Sequence, residues 1–291
     1  MNWEETIRYI RTQPEYKQLV EWAYFEEDLA LNVERFRQSE EYKETKKLIG
    51  RYVELTPGKK LLDIGSGNGI TSVAFALDGI SVDSVEPDPS KTIGAGAIRE
   101  LKDHYSLEAL NVYEGFAEEL KFPAATYDIV YSRQCMHHAY DLGRFINECT
   151  RVLKPGGLLI TIRDHVIYDE ADKKWFLEHH PLQKFYGGEN AFTAAEYAGA
   201  MRAAGLSIKQ TLRHFDTPIN YFPLTAEEKN AAEQKNNAFA DTLVQKKLGA
   251  LRHVGFIEKA AKKYVTGKLG VVYDEATVPG RMYSFLAQKT A

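Results

Sequence analysis

Several things that would narrow the class of this chain are scarce or missing. Only two of its 291 residues are cysteine, Cys135 and Cys149. They make no CxxC pair and match no zinc spacing, which excludes a disulfide scaffold and points to free thiols in a reducing compartment. No apolar run approaches the roughly 18 residues of a membrane-spanning helix. The opening "MNWEETIRYIRTQPEYKQ" is charged and has no apolar centre, so it does not read as a secretory leader. No charge sign dominates: 37 Lys and Arg face 41 Asp and Glu, for a net charge of −4. That balance excludes a nucleic-acid binder acting by overall electrostatics. Internal repeats and low-complexity tracts are absent as well. The expectation is a cytoplasmic protein with no membrane or nucleic-acid partner; a homodimer stays open.

What is present is enough apolar sequence, 44%, to fill a sizeable core. Residues 1–55 carry apolar positions at spacings of three and four, with Pro14 as a breaker and Ser39 as a helix cap. From residue 59 the pattern alternates. "KLLDIG", "ISVDSVEPD", "LEALNVYEG", "YDIVYSRQC" and "LLITIRD" read as strands. "GITSVAFALDG", "PSKTIGAGAIRELKDHY" and "LGRFINECTRVLKPGG" read as helices between them. The helix "TAAEYAGAMRAAG", the strand "LSIKQTLRHF", a helical stretch over 224–265 and the strand "GRMYSFLAQK" follow. Alternation of this kind predicts a parallel α/β sheet covered on both faces.

The glycine-rich stretch "LLDIGSGNGIT" sits between the first strand and the first core helix. Such a turn aims backbone N–H groups and a helix N-terminus at a ligand. Its spacing is Gly65-x-Gly67-x-Gly69; the dinucleotide fingerprint wants glycine where Ile70 stands, and no Walker GK[ST] follows. Glu86, 21 residues past Gly65, ends the second strand, where an acid can accept from both ribose hydroxyls. Together these features point to an adenosine-type ligand.

With "LLDIGSGNG", "VEPDP", "GFAEELKFPAATYDIVYSRQCMHH" and "ECTRVLKPGGLLIT" in that order, residues 48–165 resemble the class I S-adenosylmethionine-dependent methyltransferases. The nearest subgroup resembles the quinone-biosynthesis enzymes, and "AGAMRAAGLSI" extends the match to about residue 213. The resemblance implies a Rossmann-like, doubly wound, seven-stranded sheet and S-adenosyl-L-methionine as cofactor. It implies that Gly65, Ser66, Gly67 and Gly69 lie against the methionine part, that Asp63 reaches its amino group, and that Glu86, with Pro87 beside it, holds the ribose. Relatives carry an acid for the adenine where this chain has Phe116, so Phe116, Ala117 or Glu118 would have to serve. Arg133 is a candidate for the methionine carboxylate or an anionic substrate.

Acceptor chemistry belongs outside the carboxyl ends of the strands. His137 and His138 follow the fourth strand and His165 follows the fifth, which makes these three the candidate general bases for a hydroxyl acceptor. Tyr186, Glu189 and Asn190, in "HHPLQKFYGGENAFT", are candidate substrate contacts. The pairs "HH" at 137–138 and 179–180 put neighbours on diverging faces, and HExxH is missing, so no metal is expected.

The expected layout is an N-terminal helical cap (1–45), a cofactor-binding core (46–215), a helical insertion (216–278) and a final core strand (279–291). Cap and insertion would form a lid over the strand ends. The expected function is methyl transfer to a small molecule, a sugar or other hydroxylated metabolite. An N-methyltransferase or a nucleic-acid methyltransferase acting through the basic stretch "QKKLGALRHVGFIEKAAKK" remains open, although "SRQC" stands where an Asn-Pro-Pro-Tyr motif would be. So do a nicotinamide-dependent oxidoreductase, against which Ile70 argues, and a non-catalytic cofactor-binding module.

Overall fold

Helices α1 (Trp3–Arg11), α2 (Lys17–Trp22), α3 (Leu29–Gln38) and α4 (Glu40–Gly50) precede the first strand in the computed structural model, which describes residues 1–248 and 274–290. The caps are local. Asn2 and Glu5 form a reciprocal capping box for α1, and the Ser39 hydroxyl accepts from the Tyr42 N–H at the start of α4. Pro14 opens a short 3₁₀ turn between α1 and α2.

The core then alternates: β1 (Lys60–Ile64), α5 (Ile70–Leu77), β2 (Ser81–Val85), α6 (Ala95–Tyr105), β3 (Leu110–Tyr113), β4 (Tyr127–Arg133), α7 (Leu142–Val152), β5 (Leu153–Ile167), α8 (Glu170–His179), α9 (Gln183–Tyr186), β6 (Phe192–Thr193), α10 (Ala194–Ala203) and β7 (Leu206–Leu212). Next come α11 (Pro218–Tyr221), α12 (Ala226–Leu248) and β8 (Met282–Lys289). The seven main strands lie in the order β3-β2-β1-β4-β5-β8-β7, and the two-residue β6 pairs with the end of β5. β1 to β5 run parallel, and β8 is antiparallel to both β5 and β7. This is the doubly wound α/β sheet expected from the alternation.

The strand order reverses between β1 and β4. Right-handed crossovers therefore send α5 and α6 to one face and α7 to the other, and open a crevice above the β1–β4 boundary. α5 is apolar nearly all round, and Ile70 to Ala76 are buried without exception. On the second face Phe145, Ile146 and Cys149 of α7 and Tyr197 and Met201 of α10 pack with Val130, Leu159 and Phe285 of the sheet.

Two boundaries differ from the sequence reading. α6 begins at Ala95, not near Pro89, because the chain folds back on itself there. A Cβ on Gly94 would lie 2.1 Å from the Asp88 carbonyl oxygen, and the Ala95 N–H donates to that same oxygen. β5 is longer than "LLITIRD", since pairing with β8 and β6 carries it to Ile167. The expected capping box of α10 is present: Thr193 Oγ1 accepts from the Glu196 N–H, and the Glu196 carboxylate accepts from the Thr193 N–H.

Residues Met1–Asn220 with Pro279–Ala291 form one compact unit, and Tyr221–Val278 a second. The second contains α12, which opens on a capping box between Thr225 and Glu228. Most of the basic stretch 245–263, and the end of the helix expected over 224–265, lie outside the described residues. Among the described residues no helix is long and apolar enough to cross a membrane.

Candidate active site

At the end of β1 the backbone turns sharply. Gly65, Gly67 and Gly69 all have positive φ, and Gly69 caps α5. Gly65 has a second constraint: a Cβ there would sit 2.2 Å from Cys135 Sγ, so no side chain fits between this loop and the chain leaving β4. Asp63 is fully buried. Its Oδ2 accepts from Thr71 Oγ1 and Ser72 Oγ at 2.5 Å each, and its Oδ1 has no partner. Burial pushes the Asp63 carboxyl up to about 6 against the pull of those hydroxyls. Glu86 Oε2 accepts from the Gly67 N–H at 2.7 Å and Oε1 from the Asp88 N–H at 3.0 Å. Burial outweighs both bonds and raises it to about 7.

The remaining cofactor candidates differ among themselves. Ser66 is buried and its hydroxyl donates to the Asp63 carbonyl. Pro87 is exposed. Phe116 is a large apolar side chain left 59% exposed, whereas Ala117 and Glu118 are buried, with Glu118 accepting from the Tyr140 N–H. Arg133 is committed elsewhere: its Nε and Nη2 donate to the two carboxylate oxygens of Glu41, a buried α4 residue, at 2.5 and 3.0 Å. No local pattern pointed to this partner, which lies 92 residues away.

The histidines come together beside this loop. His137 is buried in a 3₁₀ turn (Met136–His138) after β4. Its backbone N–H donates to Asp164 Oδ1 and its Nδ1 lies 3.1 Å from the same oxygen. Its Nε2 is 3.6 Å from Glu189 Oε2. Burial would lower His137, but its hydrogen bond to Asp164 and the nearby Asp164 and Glu189 carboxylates raise it to about 9. His138 is half-exposed, with Nδ1 3.1 Å from the Gly188 carbonyl oxygen and Nε2 4.0 Å from Glu189 Oε2. Burial and the neighbouring His137 lower it to about 4. His165, on β5, is buried with Nδ1 2.6 Å from the Gly280 carbonyl oxygen, and burial holds it well below its ordinary value. His180 Nδ1 is 3.6 Å from Glu189 Oε1.

Glu189 is the common neighbour. Tyr186 donates to its Oε1, the histidine charges hold it below the usual carboxylate range despite burial, and Asn190 beside it is half-buried. The N-terminal helices shoulder this segment: the Trp3 ring meets Tyr186 edge-on at 4.7 Å. Asn68 of the glycine loop donates to the Tyr24 carbonyl. Asp164 and His180 were not singled out in the sequence. Asp164 adjoins His165 in "RDH", which is a signal only once β4 and β5 are known to be neighbours.

Residues 62–161 match the family model described as a methyltransferase domain. The chain is 35% identical over 103 residues to a ubiquinone biosynthesis O-methyltransferase of Bradyrhizobium sp. (strain ORS 278), a match covering 35% of this chain and 39% of that one. It is 27% identical over 197 residues to the enzyme so named in Pseudomonas savastanoi pv. phaseolicola, covering 64% of this chain and 78% of that one. The fold is shared with geranyl diphosphate methyltransferase in complex with S-adenosylmethionine, at a TM-score of 0.56, 16% identity and coverage of 90% of this chain and 89% of that one. Residues 62–161, which hold the glycine loop and the acids that flank it, are a methyltransferase domain, and S-adenosylmethionine-dependent methyltransferases are the proteins this chain resembles.

Proposed function

We propose that this chain transfers the methyl group of S-adenosylmethionine to a hydroxyl oxygen of a small-molecule acceptor bound above β4 and β5. The observation that carries this reading is His138. Its Nδ1 faces a carbonyl, an acceptor only, so the ring hydrogen sits on Nδ1 and Nε2 keeps a lone pair. It is half-exposed and follows β4, in the turn just after Cys135, which packs against Gly65 of the glycine loop. The relatives named for O-methylation fit the same reading.

The residues present fit the cofactor. Asp63 Oδ1 is a buried carboxylate oxygen without a partner, close in sequence to Gly65, where no Cβ fits, which suits an ammonium group. The backbone of Gly65, Ser66 and Gly67 and the N-terminus of α5 would receive the carboxylate, Glu86 the ribose hydroxyls, and the exposed Phe116 ring with the Ala117 backbone the adenine. Bound there, S-adenosylmethionine supplies an electrophilic methyl carbon on a sulfonium. The chain's part is to hold the acceptor in line and to take its proton. The hydroxyl oxygen forms the new O–C bond with its own electron pair as the S–C bond breaks, and the released proton passes to His138 Nε2. Tyr186, Glu189 and Asn190 would border the acceptor.

The direct test is transfer of labelled methyl from S-adenosylmethionine into a fractionated metabolite extract, with the product identified by mass. An ether product is expected. A methylated amine would replace the hydroxyl reading with N-methylation, and label in RNA would sink the small-molecule reading.

Cofactor binding has its own signature. Glu86→Ala is expected to weaken S-adenosylhomocysteine binding by about 10- to 150-fold, the worth of about 1.5–3 kcal/mol for charge-assisted bonds to ribose. Affinity should also fall with acid. Glu86, raised to about 7 by burial, faces Asp63, Asp88 and the Cys135 thiol. Ribose hydroxyls donate to its ionised form, so binding below pH 7 must expel a proton, and affinity should drop by up to about tenfold per pH unit. Calorimetry in two buffers of different ionisation heat reads the released proton. Affinity flat from pH 6 to 8 would remove Glu86 from the ribose site.

A further inference from the structure

The geometry points to a divalent transition-metal site, of the zinc class, formed by His137, His165 and Glu189. One ligand atom from each lies within 4.8 Å of the others, and all three residues are buried. The inference deepens the reading of the acceptor side of the same site, but metal binding itself does not depend on which atom is methylated.

Three observations carry it. First, in both rings Nε2 is the nitrogen left for a metal, His137 giving up a proton as it binds. His137 Nδ1 is held by the Asp164 carboxylate and His165 Nδ1 by the Gly280 carbonyl, so in each ring Nε2 is the open nitrogen. A carboxylate or carbonyl behind the ring is the usual outer support of a metal-bound histidine, fixing its tautomer and orientation. Second, Glu189 is similarly prepared. Tyr186 donates to Oε1, the Glu189 N–H donates to Gln183 Oε1, and Oε2 is buried with no hydrogen-bond partner. Third, the spacing is wrong for hydrogen bonds and near that of a coordination shell. His137 Nε2 and Glu189 Oε2 are 3.6 Å apart, beyond hydrogen-bond range. Two ligand atoms at zinc bond lengths of about 2.0–2.1 Å in a tetrahedron are separated by about 3.3 Å.

His180 extends the set. Its Nδ1 is buried, has no hydrogen-bond partner and lies 3.6 Å from Glu189 Oε1. Two imidazoles and a carboxylate suit zinc or another first-row ion rather than magnesium or calcium, which take oxygen. With three protein ligands a position stays open for water or an acceptor oxygen.

The test uses the full chain stripped with EDTA. Calorimetric titration with ZnCl₂ is expected to show one saturable site per chain, and Co²⁺ to give visible bands that zinc abolishes. Glu189→Gln and His165→Gln are expected to lose at least 100-fold in zinc affinity, and Asp164→Asn about 10- to 100-fold through its hold on His137. Zinc-edge X-ray absorption on the unsubstituted protein reads the ligands without relying on any variant folding; two imidazoles at about 2.0 Å are expected. No saturable binding, fewer than two imidazoles, or full affinity in folded Glu189→Gln would each overturn the site. S-adenosylhomocysteine titration and the labelled-product assay are run separately, so a failed metal site and a failed acceptor assignment give different patterns.

Discussion

His138→Gln is expected to slow methyl transfer by about 10²–10⁴-fold, the range typical for loss of a positioned base. That corresponds to about 2.7–5.5 kcal/mol of barrier. Glutamine keeps an amide N–H for the Gly188 carbonyl but cannot accept a proton. The loss should therefore fall on turnover, with S-adenosylhomocysteine affinity within about twofold of the parent, because a base acts in the transition state. The demand on the base is modest, since the hydroxyl proton becomes strongly acidic as the O–C bond forms. What matters is a free lone pair in reach, and His138 Nε2 is that of a half-exposed ring, whereas His137 and His165 are buried. Single-turnover rates of His137→Gln, His138→Gln and His165→Gln, compared side by side, are the measurement. If His138→Gln turns over within a few-fold of the parent while either other variant collapses, the base is misassigned.

The second large effect is on stability. Glu41→Ala is expected to destabilise the fold by about 3–5 kcal/mol, because it leaves the Arg133 guanidinium buried without its counter-charge. The Glu41 side chain is fully buried and that of Arg133 is 11% exposed. The Tyr24 and Phe36 rings cover the guanidinium at 5.7 Å each. Water cannot easily replace the lost carboxylate. Urea unfolding of the parent, Glu41→Ala and the double variant Glu41→Met with Arg133→Met reads the effect. The double variant should recover most of the loss, since an apolar pair of similar volume often substitutes for a buried ion pair. A loss under 1 kcal/mol in Glu41→Ala would mean that Arg133 finds another partner or water. It would also reopen Arg133 as a ligand for an anion.

The glycine loop and the acid that meets it were readable because their residues are close in sequence and obey one spacing. A strand, three glycines and an acid 21 positions on describe a local piece of chain, and the sheet only has to place β2 beside β1. The histidine cluster around Glu189 was not readable in the same way. Its groups come from the turn after β4, from β5, from the end of α8 and from the loop before β6. Adjacent pairs such as His137–His138 argue against a metal only while each pair is considered alone. The sheet sets His137 beside Asp164 and His165, and the loop after α9 folds Glu189 onto them. The expectation of no metal weighed each pair alone, whereas the proposed site draws its ligands from several elements. Arg133 illustrates the same limit, since its role was decided by a helix far away in sequence. Helix starts were misjudged where glycines serve a chain reversal, as at Gly94.

The place of β8 in the sheet bears on how the protein is made. Residues 282–289 lie between β5 and β7 and pair with both. Until the ribosome has released them, β5 and β7 have no common neighbour, and the long edge of β5 presents open backbone groups to any strand nearby. The parallel half, β1 to β4 with β5, can assemble before β8 is made, whereas the sheet closes only once β8 has emerged. His165 waits as well, because the Gly280 carbonyl that sets its tautomer arrives just ahead of β8. The setting of the His165 ring is thereby tied to the arrival of the segment that carries β8.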